Sequence, residues 1–269
     1  MRLDDVRGFV FDVDGTLVRR FPDGVRPLPG AVEVLEAIRA SGRPLAIFSN
    51  GSHVPPAEFA RHLRDDGLPV ADDEMLSPVT SALSYLRRRH DGRSVLLFAQ
   101  DDVRALLEAE GLNIVIGDEA ERADVVLVLH VDDAPMPELE RAARAILRGA
   151  RLLTANYLPA YAGANGPIFS RGAMITAAIA KASSARPTVV GKPSRAAVQA
   201  LRDHLGVPSE ELLVTGDDVR MDIRLGLLGG ARTVLVRTGI TGTMDVSRLP
   251  ERRRPHAVVD GVEELLQWL

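Results

Sequence analysis

The chain has 269 residues, 46% of them hydrophobic and 26% charged, values of an ordinary soluble globular protein with one large domain or two smaller ones. Its formal net charge of −4 argues against binding to nucleic acid or to an anionic membrane surface. It contains no cysteine, which excludes disulfides, thiolate catalysis and sulfur-ligated metals.

The start of the chain carries no targeting pattern. Residues 1–5 lack the basic and then apolar order of a secretory signal, and no apolar run in the sequence reaches the length that spans a membrane. A cytoplasmic location is therefore the default expectation.

The segment from Gly8 to Leu17 reads G-F-V-F-D-V-D-G-T-L and places two carboxylates after a short apolar run. Phe9 to Phe11 predict a strand buried on both faces, which a Gly-Thr turn ends. Side chains two apart on an extended chain point the same way, so Asp12 and Asp14 should lie side by side. Their charges repel unless a cation such as Mg²⁺ or a shared proton compensates them. Taken alone, the motif is equally compatible with two acids at an exposed strand end.

The rest of the chain alternates strand and helix patterns. Apolar runs predict strands, apolar residues at helical spacing predict helices, and the Pro- and Gly-rich segment 21–30 is predicted to be a loop. The predicted helices are 31–40, 55–67, 101–110, 136–147, 195–205, 219–228 and 262–268. The predicted strands after the first are 45–48, 95–99, 113–116, 125–131, 151–154, 188–190, 212–215, 233–236 and 257–259.

This alternation predicts an α/β fold whose core is a doubly wound, Rossmann-like parallel sheet covered by helices on both faces. The block 75–182 has an alternation of its own and interrupts the connectivity of the core sheet. We therefore predict a discontinuous core, residues 1–74 and 183–269, with an inserted α/β cap domain over residues 75–182.

Polar side chains follow three of the predicted core strands. Asp12, Ser49 and Asp217 each come directly after an apolar run. In open parallel sheets, sites form beyond the carboxyl ends of the strands. One sheet would therefore bring these three residues to a single edge.

Lysine is rare in this chain, which draws attention to Lys192. Of the 33 lysine and arginine residues, only Lys181 and Lys192 are lysine. Lysine supplies a compact point charge where arginine supplies a planar fork. Lys192, in the loop sequence G-K-P-S, is thus a candidate cation for a site, and an exposed loop lysine is the alternative.

Four segments, in this order, resemble the motifs of the haloacid dehalogenase superfamily. They read F-D-V-D-G-T at 11–16, F-S-N-G-S at 48–52, V-G-K-P-S at 190–194 and G-D-D-V-R-M-D-I at 216–223. They are most similar to its capped phosphatase branch, subfamily IIA, which includes NagD-like and 4-nitrophenylphosphatase-like enzymes with a C2-type cap. Each motif is unspecific, but the ordered set, with an α/β insert of about a hundred residues between the second and third, is strong.

The resemblance implies catalytic roles for four residues. Asp12 would be the nucleophile that forms an aspartyl-phosphate, and Asp14 the general acid and base. Ser49 would bind the phosphate through its hydroxyl, and Lys192 would supply positive charge. For Ser49 and the adjacent Asn50, a plain turn after a strand is the alternative.

The resemblance also implies Mg²⁺ as the cofactor. Asp12, the main-chain oxygen of Asp14, and Asp217 would hold it, and Asp222 would either bind or orient it. Asp218 and Asp222 are four residues apart near the start of a predicted helix, where acids are favoured for structural reasons alone. Asp218 therefore stays between a structural and a functional role.

The substrate contacts implied by the resemblance lie in two places. Asn50 and Gly51 follow the second strand, and Asn156, Tyr157 and Arg171 lie in the cap. Arg171 is either a partner for a second anionic group of the substrate or a solvated arginine at a helix start.

The resulting hypothesis is a Mg²⁺-dependent phosphomonoester hydrolase that acts on a small phosphorylated metabolite, with a cap that closes to exclude water. Two alternatives stay open. One is a phosphotransferase or phosphomutase, in which a substrate hydroxyl replaces water, and the other is a non-catalytic sensor of a phosphorylated ligand. We expect no nucleic-acid or membrane partner, and a homodimer is compatible with such a cap.

Overall fold

The computed structural model describes residues 3, 5–21, 24–163 and 166–269. The chain divides into two compact units. The first unit comprises Met1–Ser49, Pro56–Leu76 and Pro193–Leu269, and the second comprises Asn50–Pro55 and Ser77–Lys192. In the described part of the chain, every helix is too short or too polar to cross a membrane.

Residues 8–76 form the elements that open the first unit. In chain order they are β1 (Gly8–Phe11), β2 (Val18–Phe21), β3 (Gly24–Pro27), α1 (Ala31–Ala40), β4 (Leu45–Phe48), α2 (Pro56–Asp65) and β5 (Met75–Leu76). The predicted bounds of α1 and β4 are confirmed. The predicted loop 21–30 is wrong, because β2 and β3 pair there as an antiparallel hairpin. Three of the four residues of β2 are exposed, so the hairpin lacks the apolar run that marks a buried strand.

Residues 77–192 form the elements of the second unit. They are α3 (Pro78–Arg89), β6 (Ser94–Phe98), α4 (Asp101–Ala109), β7 (Asn113–Ile114), β8 (Val125–Val128), α5 (Met136–Leu147), β9 (Arg151–Thr154), β10 (Ala160–Gly163), β11 (Gly166–Phe169), α6 (Arg171–Ser183) and β12 (Thr188–Val189). The predicted bounds of α5 and β9 are confirmed. The sequence analysis did not find α6, because this helix exposes apolar residues such as Met174 and so lacks a one-sided apolar stripe.

Residues 193–269 complete the first unit. Their elements are α7 (Arg195–Leu205), β13 (Leu212–Gly216), α8 (Arg224–Gly229), β14 (Arg232–Val236) and β15 (Ala257–Val259). The helix predicted over 219–228 begins instead with one turn of π-helix, Val219–Ile223. The last predicted helix is a short 3₁₀ segment, Val262–Gln267.

The sheet of the first unit is entirely parallel, with strand order β15-β14-β13-β1-β4-β5. The central strand β1 is buried along its whole length, as expected for a strand covered on both faces. On one face Val10 and Phe48 belong to the same apolar cluster as Leu201 of α7 and Leu225 of α8. The predicted α/β class and doubly wound parallel sheet are thereby confirmed.

The second unit has a parallel sheet of its own, with strand order β12-β9-β8-β6-β7. Val126 and Val128 of β8 are buried with Ala142 of α5 and Ile179 of α6. The second unit therefore contains its own hydrophobic core.

The two units differ from the predicted domains at their boundaries. Met75–Leu76 pairs with β4 and so belongs to the first sheet, although the cap was predicted to begin at residue 75. Thr188–Val189 pairs with β9, so the second unit continues to Lys192 and not to residue 182. Residues 50–55 also belong to the second unit, in which Ser52 Oγ accepts a hydrogen bond from the His130 main-chain nitrogen. Strand pairing, which a local pattern does not encode, decided these boundaries.

Candidate active site

Three predicted site residues of the first unit follow neighbouring strands of its sheet. Phe11 of β1 lies opposite Thr215 of β13 and Ile47 of β4. Asp12, Ser49 and Asp217 come just after the ends of these three parallel strands. The sheet topology therefore brings them to one carboxyl edge, where sites form in such folds.

Three carboxylates of the first unit converge. Asp12, Asp217 and Asp222 each offer an oxygen atom, and these atoms lie within 4.8 Å of one another. Asp217 and Asp222 are 6% and 2% exposed. Like charges this close and this poorly hydrated are costly unless a cation compensates them. Their hard oxygen donors suit Mg²⁺, and among the described residues this is the one group of three or more such ligands.

Asp217 is held by a loop that follows β14. The Ile240 main-chain nitrogen donates to Asp217 Oδ2 over 2.6 Å, and the Thr241 hydroxyl donates to the Asp217 main-chain oxygen. A Cβ atom at Gly239 would lie 1.8 Å from Asp217 Oδ2, and one at Gly15 would lie 2.5 Å from it. Both positions therefore require glycine. The sequence analysis missed this loop, whose signal is the run T-G-I-T-G at 238–242, one residue after the end of β14.

Asp222 is folded back towards the end of β13. Its Oδ2 accepts a hydrogen bond of 3.1 Å from the Asp218 main-chain nitrogen. A Cβ atom at Gly216 would lie 2.2 Å from Asp222 Cβ, so the absence of a side chain there makes room for Asp222. The π-helical turn, a feature often found at functional sites, contains Asp222 and begins directly after Asp218.

Asp218 lies outside the converging group. Its Oδ1 accepts a hydrogen bond of 2.6 Å from the Arg220 main-chain nitrogen, which is the geometry of a helix N-cap. In this geometry Asp222 lies with Asp12 and Asp217, and Asp218 caps the helical turn, while the role of Asp222 in metal binding stays a prediction.

The first acidic motif contains two carboxylates with different surroundings. Asp12 Oδ2 is 3.4 Å from the buried Thr16 hydroxyl, and the Asp12 main-chain nitrogen donates to the Thr215 oxygen. The Asp14 carboxylate is exposed and pairs with Arg20 of β2, with 2.6 Å between Arg20 Nε and Asp14 Oδ1. The ligand predicted from Asp14 is its main-chain oxygen, and that assignment stays a prediction.

Two of the predicted motifs meet inside the second unit. The Asn50 side-chain oxygen accepts from the Lys192 main-chain nitrogen over 2.9 Å, and the Asn50 amide donates to the Lys192 main-chain oxygen over 3.2 Å. A Cβ atom at Gly191 would lie 2.3 Å from the Ala155 oxygen, so glycine is required there. Asn50 therefore positions the Lys192 backbone, and Lys192 itself is only 2% exposed. Gly51 lies in the same short segment.

The predicted cap residues have contacts within the second unit. Asn156 is buried, and its Oδ1 accepts from the Leu158 main-chain nitrogen over 3.3 Å. Tyr157 is 44% exposed. Arg171 pairs with the Asp132 carboxylate. A hydrogen bond from Gln100, followed by the charge of Arg171, lowers the pKa of Asp132 below its usual value. The cation expected to meet a second substrate anion thus already has an anionic neighbour.

A cavity of about 590 Å³ lies within the second unit. Its lining residues are His53, Val54, Gln100, Asp101, Asp102, His130 and Asp132. The rings of His53 and His130 have centroids 6.0 Å apart, although the two residues are far apart in sequence. The sequence analysis missed this cavity because no local pattern links its residues.

Two family models match the chain, and together they cover both segments that contain the acidic motifs. Residues 9–113 match the haloacid dehalogenase-like hydrolase family, and residues 189–265 match a HAD-hydrolase-like family. The chain belongs to the haloacid dehalogenase-like hydrolases. The subfamily expected from the motifs, that of NagD-like phosphatases, is also confirmed.

The relatives of this haloacid dehalogenase-like hydrolase match it over nearly its whole length. The 5′-nucleotidase YutF of Bacillus subtilis is 23% identical and covers 98% of both chains. The ribonucleotide monophosphatase NagD of Escherichia coli K12 is 26% identical and covers 97% of this chain and 98% of its own. Among solved structures, p-nitrophenyl phosphatase from Archaeoglobus fulgidus is 27% identical, with a TM-score of 0.85 over 98% of this chain and 100% of its own.

Proposed function

We propose that this hydrolase is a Mg²⁺-dependent phosphomonoesterase that works through an aspartyl-phosphate on Asp12. The observation that carries the proposal is the convergence of Asp12, Asp217 and Asp222 at the carboxyl edge of the sheet. Membership of the family and the phosphatase relatives support phosphomonoester hydrolysis. The cofactor and the covalent intermediate are our own assignment.

The donor set of the first unit fits a hard divalent ion. Asp12, Asp217 and Asp222 would hold it through carboxylate oxygens, together with the main-chain oxygen of Asp14. Bound Mg²⁺ supplies the positive charge that lets a carboxylate approach an anionic phosphoryl group. Gly239 and Gly216 contribute by leaving room for two of the ligands.

The chain supplies the remaining chemistry in two steps. In the first, Asp12 attacks phosphorus in line while Asp14 gives a proton to the departing alkoxide oxygen. In the second, Asp14 takes a proton from the water that attacks the aspartyl-phosphate, and phosphate leaves. We assign to Ser49 and Lys192, from the motifs, the neutralisation of charge on the phosphoryl oxygens.

We further propose that the substrate is a small phosphorylated metabolite. YutF is named as a 5′-nucleotidase and NagD as a ribonucleotide monophosphatase, so nucleoside monophosphates belong in the first set to be tested. Sugar phosphates, glycerol phosphate, phosphoglycolate and pyridoxal phosphate complete that set. Turnover of each, measured as phosphate release by the purified protein, ranks these candidates.

An aryl phosphate assay with and without Mg²⁺ tests the function. We expect excess chelator to abolish activity, added Mg²⁺ to restore it, and Asp12→Ala to lower kcat by about 10³-fold or more. The matched control is Asp260→Ala, since Asp260 is an exposed aspartate of the same unit. Full activity in chelator, or in Asp12→Ala, would contradict the mechanism.

A further inference from the structure

Arg20 makes a two-point contact with Asp14, the residue to which the proposed function gives the proton transfers. Arg20 Nε lies 2.6 Å from Asp14 Oδ1, and Arg20 Nη2 donates to Asp14 Oδ2 over 3.2 Å. A guanidinium that contacts both carboxylate oxygens fixes the plane of the carboxylate as well as its position. A lysine, with a single charged nitrogen, does not fix the plane of the carboxylate.

The backbone holds Arg20 in place for this contact. Val18 forms a bridge with Asp14, and the Gly15 main-chain nitrogen donates to the Val18 oxygen over 2.8 Å. These contacts start β2 directly beside Asp14. Arg20 then pairs with Val25 across the hairpin. The hairpin therefore presents Arg20 to Asp14 from a paired strand.

The neighbouring arginine anchors the same strand elsewhere. Successive residues on a strand point to opposite faces, and Arg19 Nη2 donates to the Thr238 main-chain oxygen over 3.2 Å. The Thr238 hydroxyl in turn donates to the Gly15 oxygen over 2.6 Å. Thr238 opens the loop that holds Asp217. One arginine of β2 thus ties the hairpin to that loop, and the other reaches Asp14.

We propose that Arg20 is a positioning residue that orients the Asp14 carboxylate for the second step, breakdown of the aspartyl-phosphate. The inference rests on the proposed function. A carboxylate has about four acceptor positions, and the two contacts with Arg20 leave others for the attacking water. In that step the water oxygen bonds to phosphorus, its proton passes to Asp14, and the bond from phosphorus to the Asp12 oxygen breaks. The electron pair of that bond returns to Asp12.

The contact matters through orientation more than through charge. The side chains of Arg20 and Asp14 are 54% and 49% exposed, so water and salt screen their attraction. We therefore expect an effect on rate of about 3- to 10-fold, a small part of the factor of about 10²–10⁴ that general acid–base catalysis supplies.

Steady-state kinetics with a dinitrophenyl phosphate test the proposal, because its leaving group needs no proton and kcat/KM reports only formation of the intermediate. In Arg20→Gln we expect kcat and KM to fall together by about 3- to 10-fold, with kcat/KM unchanged. We expect Arg20→Lys, which keeps the charge without the fork, to behave like Arg20→Gln. The control, Arg7→Gln, removes the same charge from another exposed arginine of the first unit, which pairs with Glu211, and should leave kcat within about 2-fold.

Three results would overturn the proposal. They are an unchanged kcat in Arg20→Gln, an equal fall of kcat and kcat/KM, and a wild-type kcat in Arg20→Lys. Failure of the proposed function is distinguishable from all three, because Asp12→Ala would then keep its activity whatever residue stands at position 20.

Discussion

At the scale of single residues, the site depends on close packing as much as on charge. Asp217 and Asp222 are acidic and buried, and each is positioned by a main-chain N–H group. Each also lies against a glycine, Gly239 or Gly216, at a distance that excludes any side chain. The carboxylates are therefore held together before a cation binds, which lowers the cost of assembling the site.

The first prediction separates Asp222 from its neighbour Asp218. We expect Asp222→Asn to weaken Mg²⁺ binding by about 10- to 100-fold, because the variant removes one of three converging charges. Isothermal titration with Mg²⁺ measures this directly, without substrate. The control, Asp218→Asn, should bind Mg²⁺ normally, since asparagine still accepts the hydrogen bond from the Arg220 nitrogen. Equal losses in the two variants would show that Asp218 also contributes to the site.

At the scale of elements, the central strands of the first unit's sheet are buried, and the functional groups lie just beyond their carboxyl ends. β13 connects the buried centre of the sheet with Asp217, and β1 does the same for Asp12. β13 also contains a polar side chain in that buried region: among the described residues, the Thr215 hydroxyl is buried without a hydrogen-bond partner. Such a group costs folding free energy.

The second prediction follows from that hydroxyl. We expect Thr215→Val, a change of nearly the same shape, to raise the free energy of unfolding by about 1 kcal/mol, because it removes an unsatisfied polar group. The matched control is Thr233→Val in β14, where the hydroxyl is 2.9 Å from His256 Nδ1. The free energy of unfolding of that variant should fall by about 1 kcal/mol, because a satisfied hydrogen bond is removed. Urea unfolding followed by circular dichroism measures both, and a destabilised Thr215→Val would contradict the argument.

At the scale of the whole molecule, the two units are each built around a separate parallel sheet with a separate apolar core. Their stabilities therefore respond to different groups. In the second unit, burial, followed by the charges of Arg151 and Arg93, lowers the pKa of His90. The unfolded chain then binds a proton more readily than the folded unit does, so stability falls as the pH drops below about 6.5.

The third prediction follows from this fall of stability at low pH. We expect His90→Gln to reduce the loss of stability between about pH 7.5 and about pH 5, because the variant has no group that the folded unit must keep neutral. The measurement is the urea midpoint of each protein at both pH values. As a second variant, Arg151→Gln removes one of the charges that lower the pKa, and it should also flatten the dependence. If the pH dependence of the urea midpoint is unchanged in His90→Gln, this histidine is excluded as a cause of the loss of stability at low pH.

Local patterns predicted the elements that are buried and regular. The apolar runs of β1 and β4 and the amphipathic spacing of α1 and α7 led to their correct placement. They did not reveal the hairpin of β2 and β3, most of whose residues are exposed, or α6, which is apolar on more than one side. A local pattern identifies an element when it is a continuous apolar run, as in β1 and β4, or when one face of the element is buried and another is exposed, as in α1 and α7.

By itself, the sequence determined the α/β class, the family and the residue types of the candidate site, because these follow from periodicity and from motifs that are continuous in the chain. Only the tertiary structure decided that Asp222, and not Asp218, joins Asp12 and Asp217, that Asn50 holds the Lys192 backbone, and that Arg20 reaches Asp14. The same holds for the unit boundaries, which depend on the strands with which Met75–Leu76 and Thr188–Val189 pair. The physical reason is common to all of these features. Strand pairing, turn geometry and close packing bring together residues that are distant in sequence, or set the direction in which neighbouring side chains point. A local sequence pattern contains no information about such contacts.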